Sequence, residues 1–518
     1  MSVTKEPYLP IKPYDASALF HGGQDIYIAV WTLHYREFVG ALYIGGGGDD
    51  WVSDVKYDGE ETLYLCGQSD SNDFPTSSGS PQPYNAGMSD AIIFALDLNT
   101  LRINWSTYFG GPGADGAESI DYDSYYGVIV GGSTASPSLP VTTNAIQKEN
   151  RASTRTGFVV LYDMNMQRSY CSFLGGEEND AIYKVILDHH RLYCVGRTSS
   201  ETIFTTTSAS SRYFNGIWDV FIVVLDCESW DIEYASYFGG QKDDYITDVF
   251  VKDNYLYLIG ETSSSNFPIT HNAYQNILNN QVGGSQYDWY ISIISTESWQ
   301  THYSSFYGGS KDERMDAAVL SREGIVIIGR SNSYDSDGVD GKYTGMYIDK
   351  MECAVLISWK DYTVDGFLKL YSGNNSVAFC ARNCGESVYY CGWTSSNDIY
   401  TSNDAMQKTK EGMHAGVLGI LVWNSGVSQI VEFNSWNATT NIYPTIANNY
   451  VTIENKATAD IMCVFVNLES GKAVDDVVVR QESSKTICIS RFSEGIYGIF
   501  ISDGVAFDNR KHIIAVRK

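Results

Sequence analysis

No apolar run in this chain reaches the ~18–20 residues that a membrane-spanning helix needs, so no membrane span is expected. The opening MSVTKEPYLPIKPYD lacks the hydrophobic stretch of a signal peptide. Ten cysteines in 518 residues are too few for a disulfide scaffold. Basic residues are scarce, with 35 Lys and Arg against 62 Asp and Glu, a net charge of −27. Phosphate binding needs clustered cations, so a nucleic-acid partner is excluded, and adsorption to anionic lipid is disfavoured. Such a charge suits the solubility of a secreted or surface protein. The familiar catalytic phrases are missing as well. No Gly-Lys-Ser/Thr follows the glycines, and there is no Gly-x-Ser-x-Gly elbow. His34, His189, His190, His271, His302 and His414 show no His-x-x-x-His spacing. Carboxylates are so common that no glycosidase pair stands out.

What is present is strand and turn chemistry: 38 Tyr, 47 Gly and only 19% charged residues. A short phrase returns along the chain as Tyr43-Ile44-Gly45-Gly46, Tyr108-Phe109-Gly110-Gly111, Phe173-Leu174-Gly175-Gly176, Tyr237-Phe238-Gly239-Gly240 and Phe306-Tyr307-Gly308-Gly309. The first glycines fall at 45, 110, 175, 239 and 308, in steps of 65, 65, 64 and 69. Each period holds four runs of β-formers separated by Gly, Ser, Asn and Asp. After Gly110-Gly111 come a short strand near Ser119–Tyr122, a run Tyr126–Val130 ending in Gly131-Gly132, a run Gly157–Asp163, and a run ending in Phe173-Leu174. The second-run glycine recurs at 67, 132, 196, 260, 329 and 392, usually with Ser or Thr two positions on. A loop with an apolar residue before proline recurs as Phe74-Pro75, Leu139-Pro140 and Phe267-Pro268. Four strands per unit of this length is the pattern of a propeller blade.

Third-type runs start at Asp25, Asp90, Gly157, Asp219, Asp288, near Ala354 and at Val417, which gives seven. Leu9-Pro10-Ile11 matches the loop and the run from Asp25 matches a third strand, so the chain is expected to start in mid-blade. Its first two strands and a signal peptide are expected upstream. From Gly329 to Gly373 the loop phrase is lost and strands are harder to place. These phrases resemble the bacterial seven-bladed β-propeller repeat family over residues 1–435. The resemblance implies a ring of blades in a secreted or surface protein and no single activity.

Beyond Phe433 the texture changes. A polar linker, residues 436–441, precedes a segment whose short alternating strands predict a small β-sandwich over 442–518. Tyr443-Pro444, Asn448-Asn449, Gly471, Gly495-Ile496-Tyr497 and the basic end at Lys518 make this tail resemble the C-terminal sorting domain of type IX secretion cargo. Thr445 and Ile446 stand where that family usually has Asn-Pro. The resemblance implies partnership with the secretion machinery and its sortase, and export across the outer membrane. The tail would then be removed or exchanged for a surface anchor.

The expected fold is therefore all-β: a propeller of four-stranded blades with an incomplete first blade, followed by a sandwich. An acid sits four residues after the second glycine at Asp50, Asp115, Asp180, Asp244 and Glu313. With Asp49 and Asp243 as second ligands, such a ring can hold calcium; otherwise each acid caps its own turn. No Asp-x-Asp-x-Asp ladder accompanies them, which favours capping, and no cofactor is expected. The aromatics Tyr108, Phe173, Tyr237 and Phe306 read as packing between blades. Trp51, Trp289 and Trp393, read as loop residues, are the candidates for sugar stacking, against core packing as the simpler role. Cys66, Cys194 and Cys391 share one repeat position and read as small buried side chains. Cys380 with Cys391, and Cys463 with Cys488, are placed to face each other across strand pairs. The preferred function is non-catalytic binding or adhesion to a glycan or protein. An enzyme acting on polysaccharide and a structural surface-layer component are the alternatives.

Overall fold

Strands such as Asp90–Asp97 (DAIIFALD) and Asp219–Asp226 (DVFIVVLD) are almost continuously apolar because both of their faces are covered. All but the last residue of each is buried. In a computed structural model of the chain these runs form the third strand of successive antiparallel sheets. The structure describes residues 23–31, 38–278, 286–331, 333, 351–360, 362–372, 376–384, 387–394, 415–422, 440–445, 450–455, 461–467, 473–479, 483–488, 495–502 and 512–516. The chain divides into two compact units, residues 1–401 with 409–428 and residues 402–408 with 429–518.

Seven sheets are described in the first unit. A two-stranded sheet pairs β1 (Ile26–Trp31) with β2 (Phe38–Ile44). The next sheet contains β3 (Asp50–Tyr57), β4 (Thr62–Ser69), β5 (Asp90–Asp97) and β6 (Arg102–Phe109). It is followed by β7 (Asp115–Asp123), β8 (Gly127–Thr134), β9 (Thr156–Tyr162) and β10 (Arg168–Leu174). Then come β11 (Asp180–Asp188), β12 (Arg191–Thr198), β13 (Asp219–Asp226) and β14 (Ile232–Phe238). The fifth sheet has β15 (Asp244–Lys252), β16 (Tyr255–Thr262), β17 (Asp288–Ser295) and β18 (Thr301–Tyr307). The sixth has β19 (Glu313–Leu320), β20 (Gly324–Ser331), β21 (Met351–Ser358) and β22 (Val364–Ser372), so the segment with the lost loop phrase still builds a full blade. Among the described residues three strands belong to the last: β23 (Ser376–Cys384), β24 (Ser387–Thr394) and β25 (Ala415–Val422). Strands run in sequence order within each sheet, and the first strand of each sheet neighbours the first strand of the next, as in a β-propeller.

Two devices join the blades. Near the first strands, Asp54 Oδ2 accepts the Ser119 hydroxyl (3.1 Å) and the Ile120 N–H (3.3 Å) of the following blade. Ser119 Oγ in turn accepts the Val185 N–H (3.2 Å), and Asp248 Oδ2 accepts that of Ala318 (3.0 Å). Lys184 reaches across this region to Asp248 (3.2 Å) and Asp54 (3.9 Å), while Arg382 of β23 lies 3.4 Å from Asp54. Burial opposes the Lys184 ammonium, but the two carboxylates outweigh it and raise its pKa. At the far side of three blades, a fourth-strand aromatic stacks on the hairpin of the next. Tyr170 lies on Trp230 (3.5 Å between ring centres), Tyr234 on Trp299 (4.2 Å) and Tyr303 on Tyr362 (4.2 Å). Those three hairpin residues all have positive φ, between 57° and 63°.

Two sheets are described in the second unit. One orders β26 (Thr440–Thr445), β27 (Tyr450–Asn455) and β30 (Ser483–Cys488). The other orders β29 (Ala473–Val479), β28 (Ile461–Asn467), β31 (Gly495–Ser502) and β32 (His512–Val516). Tyr443 and Pro444 lie in β26, an edge strand, where a residue without an N–H is tolerated. Gly495 and Tyr497 lie in β31; Asn448, Asn449, Gly471 and Lys518 fall outside the described residues. The β26 strand starts at Thr440, two residues inside the expected linker. The expected facing of Cys463 and Cys488 is incorrect, because β28 and β30 belong to different sheets and never pair. Cys380 does oppose Cys391 in the register of β23 and β24. Cys66 and Cys194 are fully buried, but Cys391 is exposed, a correction to the reading of that position as a core side chain.

Candidate functional site

The recurring phrases build one hydrogen-bonded node in each of five blades. Asp115 Oδ2 accepts the Gly111 N–H (2.7 Å) and the Ser136 hydroxyl (2.8 Å), while Oδ1 accepts the Thr134 hydroxyl. Asp180 does the same with Gly176 (2.7 Å), Ser200 (3.0 Å) and Thr198 (2.5 Å). Asp244 repeats it with Gly240, Ser264 and Thr262, and Glu313 with Gly309, Ser333 and Ser331. Asp50 takes Gly46 (2.8 Å) and Ser71 (2.9 Å). The phrase Gly-x-Thr-x-Ser and the acid after Gly-Gly are thus two halves of one contact. Asp49 donates its N–H to Asp70 Oδ1 (2.5 Å), and Asp243 Oδ2 accepts the Tyr287 hydroxyl (3.1 Å). The first glycine of several phrases leaves room for a second carboxylate, and at Gly175 for the Thr156 hydroxyl: a Cβ at Gly110 would meet Asp90 Oδ1 at 2.5 Å and Asp115 Oδ2 at 2.6 Å. Gly239 stands likewise between Asp219 and Asp244. Burial raises Asp90, Asp180 and Asp219 to about 6, and Asp244 and Glu313 to about 7.

Beside these nodes, the second-run glycines press onto the first strand. A Cβ at Gly67, Gly132, Gly196, Gly260 or Gly329 would lie 1.9 to 2.3 Å from a first-strand carbonyl oxygen. The first strand bulges at the same level, between Ile182 and Lys184 for example. A bulge leaves one residue out of the pairing and re-aims its side chain. The bulged residues are Ser53, Glu118, Tyr183, Thr247 and Asp316, all different. The residue after each second-run glycine also varies, with arginine twice: Gln68, Ser133, Arg197, Glu261, Arg330. So does the residue before each third strand, among them Arg155, Trp218 and Tyr287.

These variable positions meet. The Arg197 guanidinium lies 4.6 Å from the Trp218 ring centre, 5.2 Å from Tyr183 and 5.7 Å from Tyr245. Tyr245 stacks on Tyr287 at 5.7 Å, and Arg314 covers Tyr287 at 3.7 Å. Arg314 also binds Glu261 (2.7 Å) and Asp312 (3.2 Å), and Arg330 binds Asp316 (3.0 Å). Arg197 has no carboxylate at ion-pair distance among the described residues, and Arg155 donates to the Ala114 carbonyl (3.0 Å). Burial raises the Glu118 carboxyl, with Arg155 and Arg197 pulling it back. Burial likewise raises Glu261 against the pull of Arg314, and Asp316, held to about 6 against Arg330. The Tyr287 hydroxyl is raised by burial and by Tyr245 and Asp243. The result is a patch of rings and guanidinium groups at the Gly-Gly end of the blades, in which Tyr183, Arg197, Trp218, Tyr245 and Arg314 are partly exposed and Tyr287 is buried.

None of the three tryptophan candidates is a loop residue. Trp289 is the second residue of β17, 1% exposed, with its ring against Gly329 of the next blade; that burial removes it from any stacking face. Trp51 is in β3, 43% exposed, at the position that Tyr245 and Arg314 take in their blades. Trp393 is in β24, and its side chain falls outside the described residues. Tyr108, Phe173, Tyr237 and Phe306 are all buried. A search for what recurs passes over Arg197, Tyr183, Trp218 and Tyr245, because their signal is change at fixed register.

Residues 441–515 match the secretion system C-terminal sorting domain. No curated protein matches the chain. Solved structures similar to it include the Kuenenia stuttgartiensis hydrazine synthase, at 11% identity and TM-score 0.36, covering 64% of this chain and 70% of that one. The Neurospora crassa Pan2 WD40 domain is similar at 7% identity and TM-score 0.29, covering 78% and 79%. A Synechocystis apocarotenoid oxygenase is similar at 10% identity and TM-score 0.35, covering 94% and 90%. None of these structural likenesses carries an argument about activity. The sorting domain implies contact with the secretion machinery and export to the cell surface or beyond.

Proposed function

We propose that this exported chain is a binding protein, and that the Gly-Gly end of its blades holds a glycan. The observation that supports this most is the split between constant and variable positions. The hydrogen-bonded nodes repeat from blade to blade, while the bulge and its neighbours change and gather Arg197, Tyr183, Trp218 and Tyr245 in one patch. Ring faces suit the apolar faces of sugars, and guanidinium groups suit their hydroxyls and carboxylates. The acids Glu261 and Asp316 are engaged by Arg314 and Arg330, an arrangement that favours holding a ligand over proton transfer to one.

The test is a glycan array probed with the purified chain, followed by titration of the best hit. Trp218→Ala and Arg197→Ala should each weaken binding by at least about tenfold, as loss of an interfacial anchor does. Melting temperatures should stay near that of the unaltered protein. A silent array, or hits bound equally by both variants, would overturn the proposal.

A further inference from the structure

The opposite end of the third complete blade carries side chains that the repeat does not require. His190 lies in the hairpin between β11 and β12, Asp226 ends β13, and Glu233 lies in β14. One potential ligand atom from each falls within 4.8 Å of the other two. His190 Nε2 stands 3.8 Å from Glu233 Oε1. Ligands around a tetrahedral zinc ion are separated by about 3.4 Å, given metal–ligand bonds near 2.1 Å, so small side-chain rotations close the site.

Contacts around the three residues fix them without using up their ligand capacity. Asp226 Oδ1 accepts the N–H groups of Glu228 (2.9 Å) and Ser229 (2.7 Å), which leaves Oδ2. Glu233 Oε2 accepts the Arg191 Nε–H (2.6 Å), which leaves Oε1. Arg191 is itself anchored to the Thr296 carbonyl of the next blade (3.3 Å). The His190 carbonyl accepts the Cys227 N–H (2.7 Å), so the imidazole hangs from a fixed backbone. Outer contacts of this kind orient metal ligands.

Register separates frame from addition. Asp226 corresponds to Asp97 and Ser295, which cap the same hairpin in their blades. His190 corresponds to Glu61, Tyr126 and Asn254, and Glu233 to Asn104, Ser169 and His302. The histidine and glutamate occur together in this blade alone among those four.

We propose that His190, Asp226 and Glu233 bind one divalent transition-metal ion, with zinc as the reference. An imidazole nitrogen with two carboxylate oxygens suits such an ion better than calcium or magnesium, which favour all-oxygen shells. Three protein ligands leave a further position open to water or to a donor from a bound molecule. The site is independent of the glycan patch.

The experiment is calorimetric titration of ZnCl2 into the tag-free full chain, with CaCl2 in parallel. One zinc site is expected, and His190→Ala and Glu233→Gln should each weaken it by at least about tenfold. His189→Ala, an exposed neighbour bonded to Asp188, should leave it unchanged. Melting curves in EDTA should match for all variants, which separates ligand loss from unfolding. Zinc binding unaffected by both ligand variants would overturn the assignment. So would calcium binding that depends on the same residues with equal affinity.

Discussion

Each acid after a Gly-Gly turn is a carboxylate used as structural cement. At Asp115, Asp180, Asp244 and Glu313 the oxygens take an amide and two hydroxyls, and burial leaves the charge of Asp180, Asp244 and Glu313 poorly solvated. That cost is largest at Asp244, where burial dominates, the bonds from Gly240 and Thr262 work against it, and Asp219 adds repulsion. The consequence is a stability that depends on pH with a definite sign. In the unfolded chain Asp180, Asp244 and Glu313, together with the third-strand Asp90 and Asp219 that stand against Gly110 and Gly239, release their protons near pH 4, whereas the folded chain holds them up to about 6 at Asp90, Asp180 and Asp219 and about 7 at Asp244 and Glu313. The folded state binds more protons between those values, so this stabilisation is complete below the unfolded pKa and disappears as pH rises through the folded one. Thermal melting of the chain should therefore fall from pH 5 toward 7.5. Asp244→Asn, which keeps an acceptor oxygen, should flatten that slope. A melting temperature that rises over the window would contradict the argument.

At the scale of elements, the blade is a strand pattern with two specialised ends. One end has the bulge opposite a closely packed glycine, which takes one side chain out of the pairing and re-aims it. The other has a hairpin between third and fourth strands whose positive-φ residue, Trp230, Trp299 or Tyr362 in three blades, lies on the preceding blade. Trp230 (φ 63°) on Tyr170 is the flattest pair, with 5° between the rings. Trp230→Ala should shift the unfolding midpoint by an amount equivalent to about 2–4 kcal/mol, as loss of a large packed ring does. Trp230→Gly loses the same ring but relieves the left-handed backbone, and should be about 1 kcal/mol less damaging. Denaturant titration distinguishes them; an alanine variant with the original midpoint would show that the stack contributes nothing.

For the whole molecule, the repeats and the tail answer to different demands. Blades contact mainly their neighbours, so a propeller needs only its own sheets to fold. The sorting domain is a separate compact unit and serves export. Deleting residues 442–518 should leave the melting transition of the repeats unchanged. In a host with the secretion system the same deletion should retain the protein in the periplasm, as fractionation would reveal. Surface display of the truncated chain would refute the assignment of delivery to the tail.

The sequence by itself determined the period, the four strand types, the glycine positions and the change of texture near Phe433. Each is a local pattern of β-formers and turn residues, and local patterns are complete within a few dozen residues of chain. It also held both halves of the acid node, the Gly-x-Thr-x-Ser phrase and the acid after Gly-Gly, although only register joins them. The tertiary structure alone decided what meets across blades. Arg197, Trp218 and Tyr245 come from two blades and three different segments, and Lys184 finds Asp54 two blades away. It also decided that Trp289 is buried while Trp51 is not, a matter of which neighbouring sheet covers each face. Such contacts depend on how successive sheets stack, and a repeat that keeps its frame constant leaves its variable residues with no pattern to read until stacking brings them together.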